Sequence, residues 1–129
     1  MVPGYGPEAG SPLALHMDVD AIGFTGSTRV GRRMLDYAGR SNLKRVYNEL
    51  GGKSANIVLD DADLKKAVSS GVMQMMTNTG QSCISSKRFI VEHAVADAFV
   101  DAFVAGARQL VVGDPLQAGT TLGSMAKRG

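Results

Sequence analysis

Cysteine is the scarcest of the reactive residues, since Cys83 is the only one in 129 residues. A single cysteine excludes a disulfide within the chain, which is typical of proteins in a reducing compartment. The sequence also lacks an apolar run of about 18 residues, and its first residues lack the charged and hydrophobic segments of a secretion signal. These absences predict a cytoplasmic protein with no membrane partner.

A large excess of charge of one sign is also absent, because the net charge is only +2. The 14 basic residues divide seven and seven between the halves of the chain, so they form no basic stripe of the kind that binds nucleic acid. We therefore expect no nucleic-acid partner. The 44% of hydrophobic residues is normal for a globular domain, and 16 glycines against four prolines favour many tight turns.

Short apolar strands alternate along the chain with segments whose apolar residues repeat at helical spacing, and Val30, Met34 and Ala38 form such a stripe after the second glycine-containing turn. This alternation favours an α/β fold in which helices cover a parallel sheet. The predicted strands are 21–24, 44–50, 56–59 and 88–91. The predicted helices are a short one over 11–17, capped by Ser11 with Pro12 at its first position, and longer ones that start near Thr28, Asp61 and Ala94.

Two of these helices carry a clear apolar stripe, which predicts the face that each one buries. The methionines of the first stripe fit core packing, so no metal site is predicted there. The first stripe is Leu64, Ala67, Val68, Gly71, Val72, Met75 and Met76. The second is Ala96, Phe99, Val100, Phe103, Ala107 and Leu110.

Glycines near the start have a spacing close to that of a nucleotide-binding loop. Gly4, Gly6 and Gly10 give G-x-G-x-x-x-G, one residue longer than the dinucleotide fingerprint, so the spacing alone favours an ordinary loop. The stretch TGSTRVGRRML offers a second place for a phosphate, because a strand, a polar turn and a helix start follow one another. Ser27 and Thr28 there are equally well explained as ordinary helix caps.

Two further residues have settings that admit either chemistry or a plain structural role. Glu49 stands at the carboxyl end of a predicted strand, where ligands bind in open α/β sheets, but a surface carboxylate is also common there. Cys83 lies in the polar, glycine-containing stretch TNTGQSCISSKR. A lone cysteine is often a small buried hydrophobe, whereas this setting also admits a nucleophile.

Four motifs in fixed order carry a family resemblance: FTGSTRVG, ELGGKS, NTGQSC and GDP. In that order, with 34 residues between Glu49 and Cys83, the sequence resembles the aldehyde dehydrogenase superfamily. The resemblance implies part of a Rossmann-like NAD(P)-binding domain over 1–48, joined to the start of an α/β catalytic domain over 49–129. It also implies an oxidoreductase that uses NAD or NADP, acts on a small aldehyde and assembles as a homo-oligomer.

The resemblance also implies residue roles. Cys83 matches the nucleophile that forms a thiohemiacetal and then a thioester, and its backbone N–H matches an oxyanion donor. Glu49 matches the general base, which favours a free acid over an acyl-phosphate or acyl-coenzyme A product. Leu50 matches a backbone contact to the nicotinamide, and Gly6 and Pro7 match the loop near the adenosine half. The segment against the phosphates is Gly26, Ser27, Thr28, Arg29, Val30 and Gly31.

The two halves resemble different branches of the superfamily. The first is similar to dehydrogenases of γ-glutamylaminobutyraldehyde and related aminoaldehydes, and the second to succinate-semialdehyde dehydrogenases, so a short polar aldehyde is the expected substrate. Asn48, Met76, Ser85 and Ser124 depart from the residues usual in the family. The upstream Asn and Lys and the downstream Glu-x-Phe-Gly-Pro loop of the family have no counterpart here. The alternative hypothesis is therefore a catalytically incompetent segment that at most binds a nucleotide or another chain.

Overall fold

A computed structural model describes residues 1–126, which divide into two compact units, Met1–Gly51 and a second one that begins at Gly52. Positions 127–129, at the end of the predicted catalytic domain over 49–129, lie outside the described residues. Each unit contains a pair of parallel strands with helices packed against it, which confirms the predicted α/β class. Among the described residues, no helix has the length and apolar character needed to cross a membrane.

In the first unit, two parallel strands pair without a register shift, from Ala21 opposite Arg45 to Gly26 opposite Leu50. Half-buried and exposed residues alternate along both strands, so one face of the sheet is covered. Met34 and Ala38 are buried on the principal helix at the spacing that the sequence predicts. The elements are a π-helical turn Gly6–Gly10, α1 (Ser11–Leu15), β1 (Ala21–Gly26), α2 (Thr28–Gly39) and β2 (Arg45–Leu50).

A buried lysine ties the start of β2 to α1. Lys44 is 6% exposed, and its Nζ donates to the carbonyls of Ala14 at 2.8 Å and His16 at 2.9 Å and to Ser41 Oγ at 2.8 Å. An ammonium has three donors, and here each has an acceptor. The tether fixes the end of α1 beside the sheet.

Of the three helix caps predicted in the first unit, one is correct and two are wrong. Ser27 caps α2, because its Oγ accepts from the N–H of Val30, whereas Thr28 is already the first helical residue. Ser11 does not cap α1, since the π-helical turn continues into that helix and Gly10 precedes it in helical geometry. The helix also ends at Leu15, two residues before the prediction.

The second unit pairs β3 with β4 in parallel, with an irregularity in register between Ser54 and Ala55. Asp63, not Asp61, caps the helix between these strands, because its carboxylate accepts from the N–H of Lys66 at 3.0 Å. The elements are β3 (Ser54–Val58), α3 (Leu64–Met76), β4 (Ser86–Val91) and α4 (Ala96–Ala107), with 3₁₀ turns at Thr77–Gly80 and His93–Val95.

The core of the second unit lies between its sheet and its two helices. Three phenylalanines meet there, with ring centroids of Phe89 and Phe103 4.9 Å apart and those of Phe89 and Phe99 5.6 Å apart. The predicted stripe of α3 is confirmed at Val68, Gly71 and Val72, which are buried. On α4 the stripe is right at Phe99, 3% exposed, and wrong at Val100, 54% exposed. The buried cluster is Val58, Val68, Val72 and Phe99, and Met76 packs against it.

Candidate functional site

A cavity of about 580 Å³ in the first unit brings together three of the predicted cofactor residues, Gly6, Pro7 and Val30. The π-helical turn supplies Gly6 and Pro7, and the first turn of α2 supplies Val30. A Cβ added at Gly6 or Gly10 would meet no protein atom within 4 Å, so the loop leaves open space beside it. The complete lining is Gly6, Pro7, Gly10, Ser11, Leu13, Ala14, Ile22, Phe24, Val30, Arg33, Met34 and Tyr37.

The start of α2 has the geometry of an anion-binding helix terminus. Ser27 accepts the N–H of Val30 at its carbonyl at 2.9 Å and at its Oγ at 3.4 Å, and its carbonyl also accepts the N–H of Gly31 at 2.9 Å. The N–H groups of Thr28 and Arg29 precede the first intrahelical bonds, and a helix start of this kind favours negative charge. A Cβ at Gly26 would lie 2.6 Å from the ring of Phe24, so the ring would have to move to admit a side chain there.

Gly31 and Leu50, predicted to contact the phosphates and the nicotinamide, lie against each other. A Cβ on Gly31 would be 2.7 Å from Leu50 Cδ2 and 2.9 Å from Leu50 Cδ1. Asn48 lies on the same face of β2, and its Nδ2 donates to the Gly31 carbonyl at 3.2 Å. The Oδ1 of Asn48 is buried without a hydrogen-bond partner among the described residues. The end of β2 and the first turn of α2 are therefore in direct contact.

Glu49 lies between Asn48 and Leu50 along β2 and is exposed, as the alternating burial of that strand requires. Its Cα is paired with that of Thr25 on β1. Because side chains alternate between the faces of a strand, Glu49 is on the face opposite to Asn48 and Leu50. The carboxylate is therefore accessible to water at the carboxyl end of the sheet, as the sequence predicts.

In the second unit, an unusual turn leads from α3 to the cysteine. Asn78, Thr79 and Gly80 follow one another with φ of 53°, 58° and 71°. Side-chain amides brace the turn, since Asn78 Nδ2 donates to the carbonyl of Gln81 at 3.3 Å and Gln81 Nε2 donates to the carbonyl of Asn78 at 3.2 Å. Thr77, with φ of −51° and ψ of 135°, ends the helix, and the three successive left-handed residues follow it.

Cys83 is exposed at the tip of the segment that follows this turn. The Ser85 N–H donates to the Ser82 carbonyl at 3.3 Å, which folds the chain back on either side of the thiol. Lys87 Nζ donates to the same carbonyl at 3.4 Å. The buried-hydrophobe interpretation of Cys83 is therefore wrong for the described part of the chain, in which the residue is exposed to solvent. Ser85, in contrast, is 2% exposed, and its hydroxyl has no partner among the described residues.

The sequence did not predict the contacts of four residues that shape the cavity and the start of α2. Ser11 and Tyr37 line the cavity, Lys44 anchors the end of α1, and Asn48 holds Gly31. Tyr37 could have been found, because it lies seven residues after Val30 and therefore on the same face of α2. The partners of Lys44 and Asn48 are backbone carbonyls in other elements, which a sequence pattern does not reveal.

Comparison with known proteins gives a consistent result across the chain. A family model described as "Aldehyde dehydrogenase family" matches residues 1–129. Human aldehyde dehydrogenase 1A1 is 49% identical over 123 residues, which are 95% of this chain and 25% of that protein. The γ-glutamyl-γ-aminobutyraldehyde dehydrogenase structure from Burkholderia cenocepacia is 46% identical with a TM-score of 0.90, over 98% of this chain and 26% of that one.

A further solved structure, an indole-3-acetaldehyde dehydrogenase in complex with NAD+, is 43% identical with a TM-score of 0.88, over 94% of this chain and 25% of that one. The chain thus spans about a quarter of the length of the relatives that it matches. The family model covers the whole sequence, and the fold agrees over nearly all of it. The chain therefore belongs to the aldehyde dehydrogenase family.

Proposed function

We propose that this chain is a segment of an NAD(P)-dependent dehydrogenase that oxidises a small polar aldehyde to its carboxylic acid, with Cys83 as nucleophile and Glu49 as general base. The observation that carries the proposal is the exposure of Cys83 on a turn that holds it away from the core. Membership of the family supports the same reaction. The division of roles between a cofactor part and a catalytic part belongs to this proposal.

The first unit supplies the residues that would hold the cofactor. The cavity beside Gly6, Pro7 and Val30 has room for a nucleoside and apolar walls suited to a base. The start of α2, from Gly26 through Arg29, suits the phosphates, and the contact between Gly31 and Leu50 lies next to it. When bound, NAD or NADP supplies the acceptor for the hydride that leaves the substrate carbon.

Cys83 acts on the aldehyde itself. Its Sγ attacks the carbonyl carbon as a thiolate, a carbon–sulfur bond forms, and the carbonyl π electrons move to the oxygen. The backbone N–H of Cys83 donates to that oxyanion. Loss of the hydride from the same carbon restores the carbonyl and leaves a thioester on Cys83. Cysteine suits both stages because its thiolate is a strong nucleophile and its thioester hydrolyses readily.

Glu49 acts on the thioester. Its carboxylate takes a proton from water as the water oxygen attacks the acyl carbon, the carbon–sulfur bond breaks, and the Cys83 thiolate is regenerated with the carboxylic acid. The exposure of Glu49 at the end of β2 supports this role, because the attacking water must reach it. A carboxylate here favours water over coenzyme A or phosphate as the acyl acceptor.

The expected substrate is a short polar aldehyde, such as an aminoaldehyde or a semialdehyde. The resemblance of the two halves to enzymes of those substrates supports this class, and so does the similarity to the Burkholderia cenocepacia protein. We also propose a cytoplasmic setting, in line with the single free cysteine.

The test compares the full-length dehydrogenase that carries this segment with its Cys83→Ala variant and, as a matched control, with Ser82→Ala. Formation of reduced nicotinamide is followed by absorbance with NAD or NADP and succinate semialdehyde or an aminoaldehyde. If Cys83→Ala abolishes the absorbance of reduced nicotinamide and Ser82→Ala retains it, the result supports Cys83 as the nucleophile. Glu49→Gln should then slow hydrolysis, so that mass spectrometry detects an acyl group on Cys83. Unchanged turnover in Cys83→Ala removes the assignment.

A second candidate function is nucleotide binding without turnover. The specific observation in its favour is that the cavity is lined entirely by residues of the first unit, whereas Cys83 belongs to the second. For the 129-residue chain alone we expect no steady-state turnover. Binding of NAD by a folded chain that forms no reduced nicotinamide supports this candidate.

A further inference from the structure

Two hydroxyl groups meet at the cavity of the first unit. Ser11 Oγ and Tyr37 Oη are 3.0 Å apart, and both residues line the cavity. Ser11 is the first residue of α1, and Tyr37 lies in the third turn of α2, so the pair joins two different walls. Both residues are half-buried, and so is the hydrogen bond between them.

The rest of the lining is largely apolar. Ile22 and Phe24 come from β1, Val30 and Met34 from α2, and Leu13 and Ala14 from α1. Such walls suit the two faces of a flat aromatic ring, and a pocket of this kind commonly uses a few polar groups to orient its ligand. Apart from Ser11 and Tyr37, the lining residue with a polar side chain is Arg33, which is also its charged residue.

The hydrogen-bonding capacity of the pair is incompletely used. Each hydroxyl has one donor hydrogen and two acceptor lone pairs. The bond between them uses one hydrogen and one lone pair, and among the described residues no further bond to either hydroxyl is present. One O–H and three lone pairs therefore remain for a ligand at the same place.

We propose that the Ser11–Tyr37 hydroxyl pair recognises the polar edge of the adenine base of the bound cofactor. The exocyclic amino group of adenine donates to Tyr37 Oη, which itself donates to Ser11 Oγ, and the Ser11 O–H donates to a neighbouring ring nitrogen. The apolar walls contact the faces of the ring. This inference rests on the proposed function, since it assigns a specificity-determining contact within the nucleotide-binding part of that site.

The experiment is an NMR titration of the ¹⁵N-labelled chain with two nucleotides, AMP and purine riboside 5′-monophosphate, which lacks the exocyclic amino group. One hydrogen bond of ordinary strength predicts that the chain binds AMP about 3- to 10-fold more tightly than the analogue. Tyr37→Phe should lower the affinity for AMP by about that factor and change the affinity for the analogue by less than about twofold. Tyr47→Phe, on the exposed β2 residue outside the cavity, is the matched control and should change neither affinity.

If Tyr37 has a purely structural role, Tyr37→Phe should lower the affinity for both nucleotides by the same factor. That result overturns the inference but leaves the proposed cofactor in place. Equal affinity of the wild-type chain for both nucleotides also overturns it. Absence of binding by either nucleotide removes the cofactor proposal and this inference together. For the case in which Tyr37→Phe does not fold, the comparison of the two nucleotides on the wild-type chain still tests the inference. Ser11→Ala removes the donor to the ring nitrogen that both nucleotides carry, so it should weaken the binding of both by about 3- to 10-fold, and unchanged affinity for both contradicts the ring-nitrogen contact.

Discussion

The two units share a parallel pair of strands but hold their candidate residues in different ways. In the first, Val30 and Leu50 lie on a helix and a strand whose periods determine where their side chains point. In the second, Cys83 follows three consecutive residues with positive φ. A helix or strand can be inferred from the spacing of its hydrophobic residues, whereas the path of this turn depends on backbone angles that the spacing does not reveal. The cysteine is therefore placed by local conformation more than by packing.

The units also differ in the groups that stabilise them. The buried apolar residues of the first are Ala14, Met34 and Ala38, and Lys44 adds a buried polar tether. The second has a core of valines and phenylalanines. Because larger apolar side chains remove more surface from water, the second unit should depend more on its core and the first more on its hydrogen bonds.

Truncation of the central phenylalanine should have the largest effect. Phe99→Ala removes a ring that is 3% exposed and packs against Phe89 and Phe103, so we expect the free energy of unfolding to fall by about 3 to 5 kcal/mol. Val100→Ala, at the adjacent exposed position, should change it by less than about 0.5 kcal/mol. Urea denaturation measures both variants. Hydrogen exchange should assign the loss to the second unit, and protection lost equally in the first would contradict the comparison.

Removal of the polar tether should weaken the first unit. Lys44→Met keeps the length of the side chain but removes its donor from the Ala14 carbonyl and leaves the His16 carbonyl with only the Val19 N–H at 3.3 Å, at an expected cost of about 2 to 3 kcal/mol. Arg45→Met, at the exposed next position, is the matched control. The same denaturation and exchange measurements apply. If Lys44→Met is as stable as its control, the tether contributes nothing net and the contrast between the units is lost.

The features that the sequence predicts are those set by residues close together in the chain. The strands, the α2 and α3 stripes and the cap at Ser27 depend on local period and local chemistry, and they were predictable. The cap at Asp61 was wrong because two aspartates compete within one turn and the backbone selects Asp63. The exposure of Val100 depends on which helices are present to cover it, and the contact of Asn48 depends on the approach of α2.

The close contact beneath the candidate cofactor site can be tested by adding one methyl group. In Gly31→Ala the new Cβ would fall 2.7 Å from Leu50, so the leucine must move, at a cost of about 1 to 2 kcal/mol. Gly39→Ala lies at the end of the same helix with no atom within 4 Å of the added Cβ. That control should be neutral or stabilising by up to about 1 kcal/mol. Thermal denaturation compares the two, and equal stability would show that Leu50 yields freely.

The turn before Cys83 gives the smallest effect and the most direct test of its conformation. Thr79 is β-branched with φ of 58°, a left-handed geometry that costs a non-glycine residue about 1 to 2 kcal/mol. Thr79→Gly removes that cost but adds chain entropy to the unfolded state, so a net gain of about 0.5 to 1 kcal/mol is expected.

Thr77→Gly is the contrasting control for Thr79→Gly, because Thr77 has φ of −51° and its Oγ1 donates to the Met73 carbonyl at 2.7 Å. There the same change removes a hydrogen bond without relieving strain, and it should destabilise by about 1 to 2 kcal/mol. Stability changes of opposite sign at Thr79 and Thr77, measured by denaturation, would show that the turn before Cys83 is held in a strained conformation by the structure around it. Loss of stability in both variants would instead mean that Thr79 makes contacts that outweigh its strain, and the second unit would then position its cysteine by packing after all.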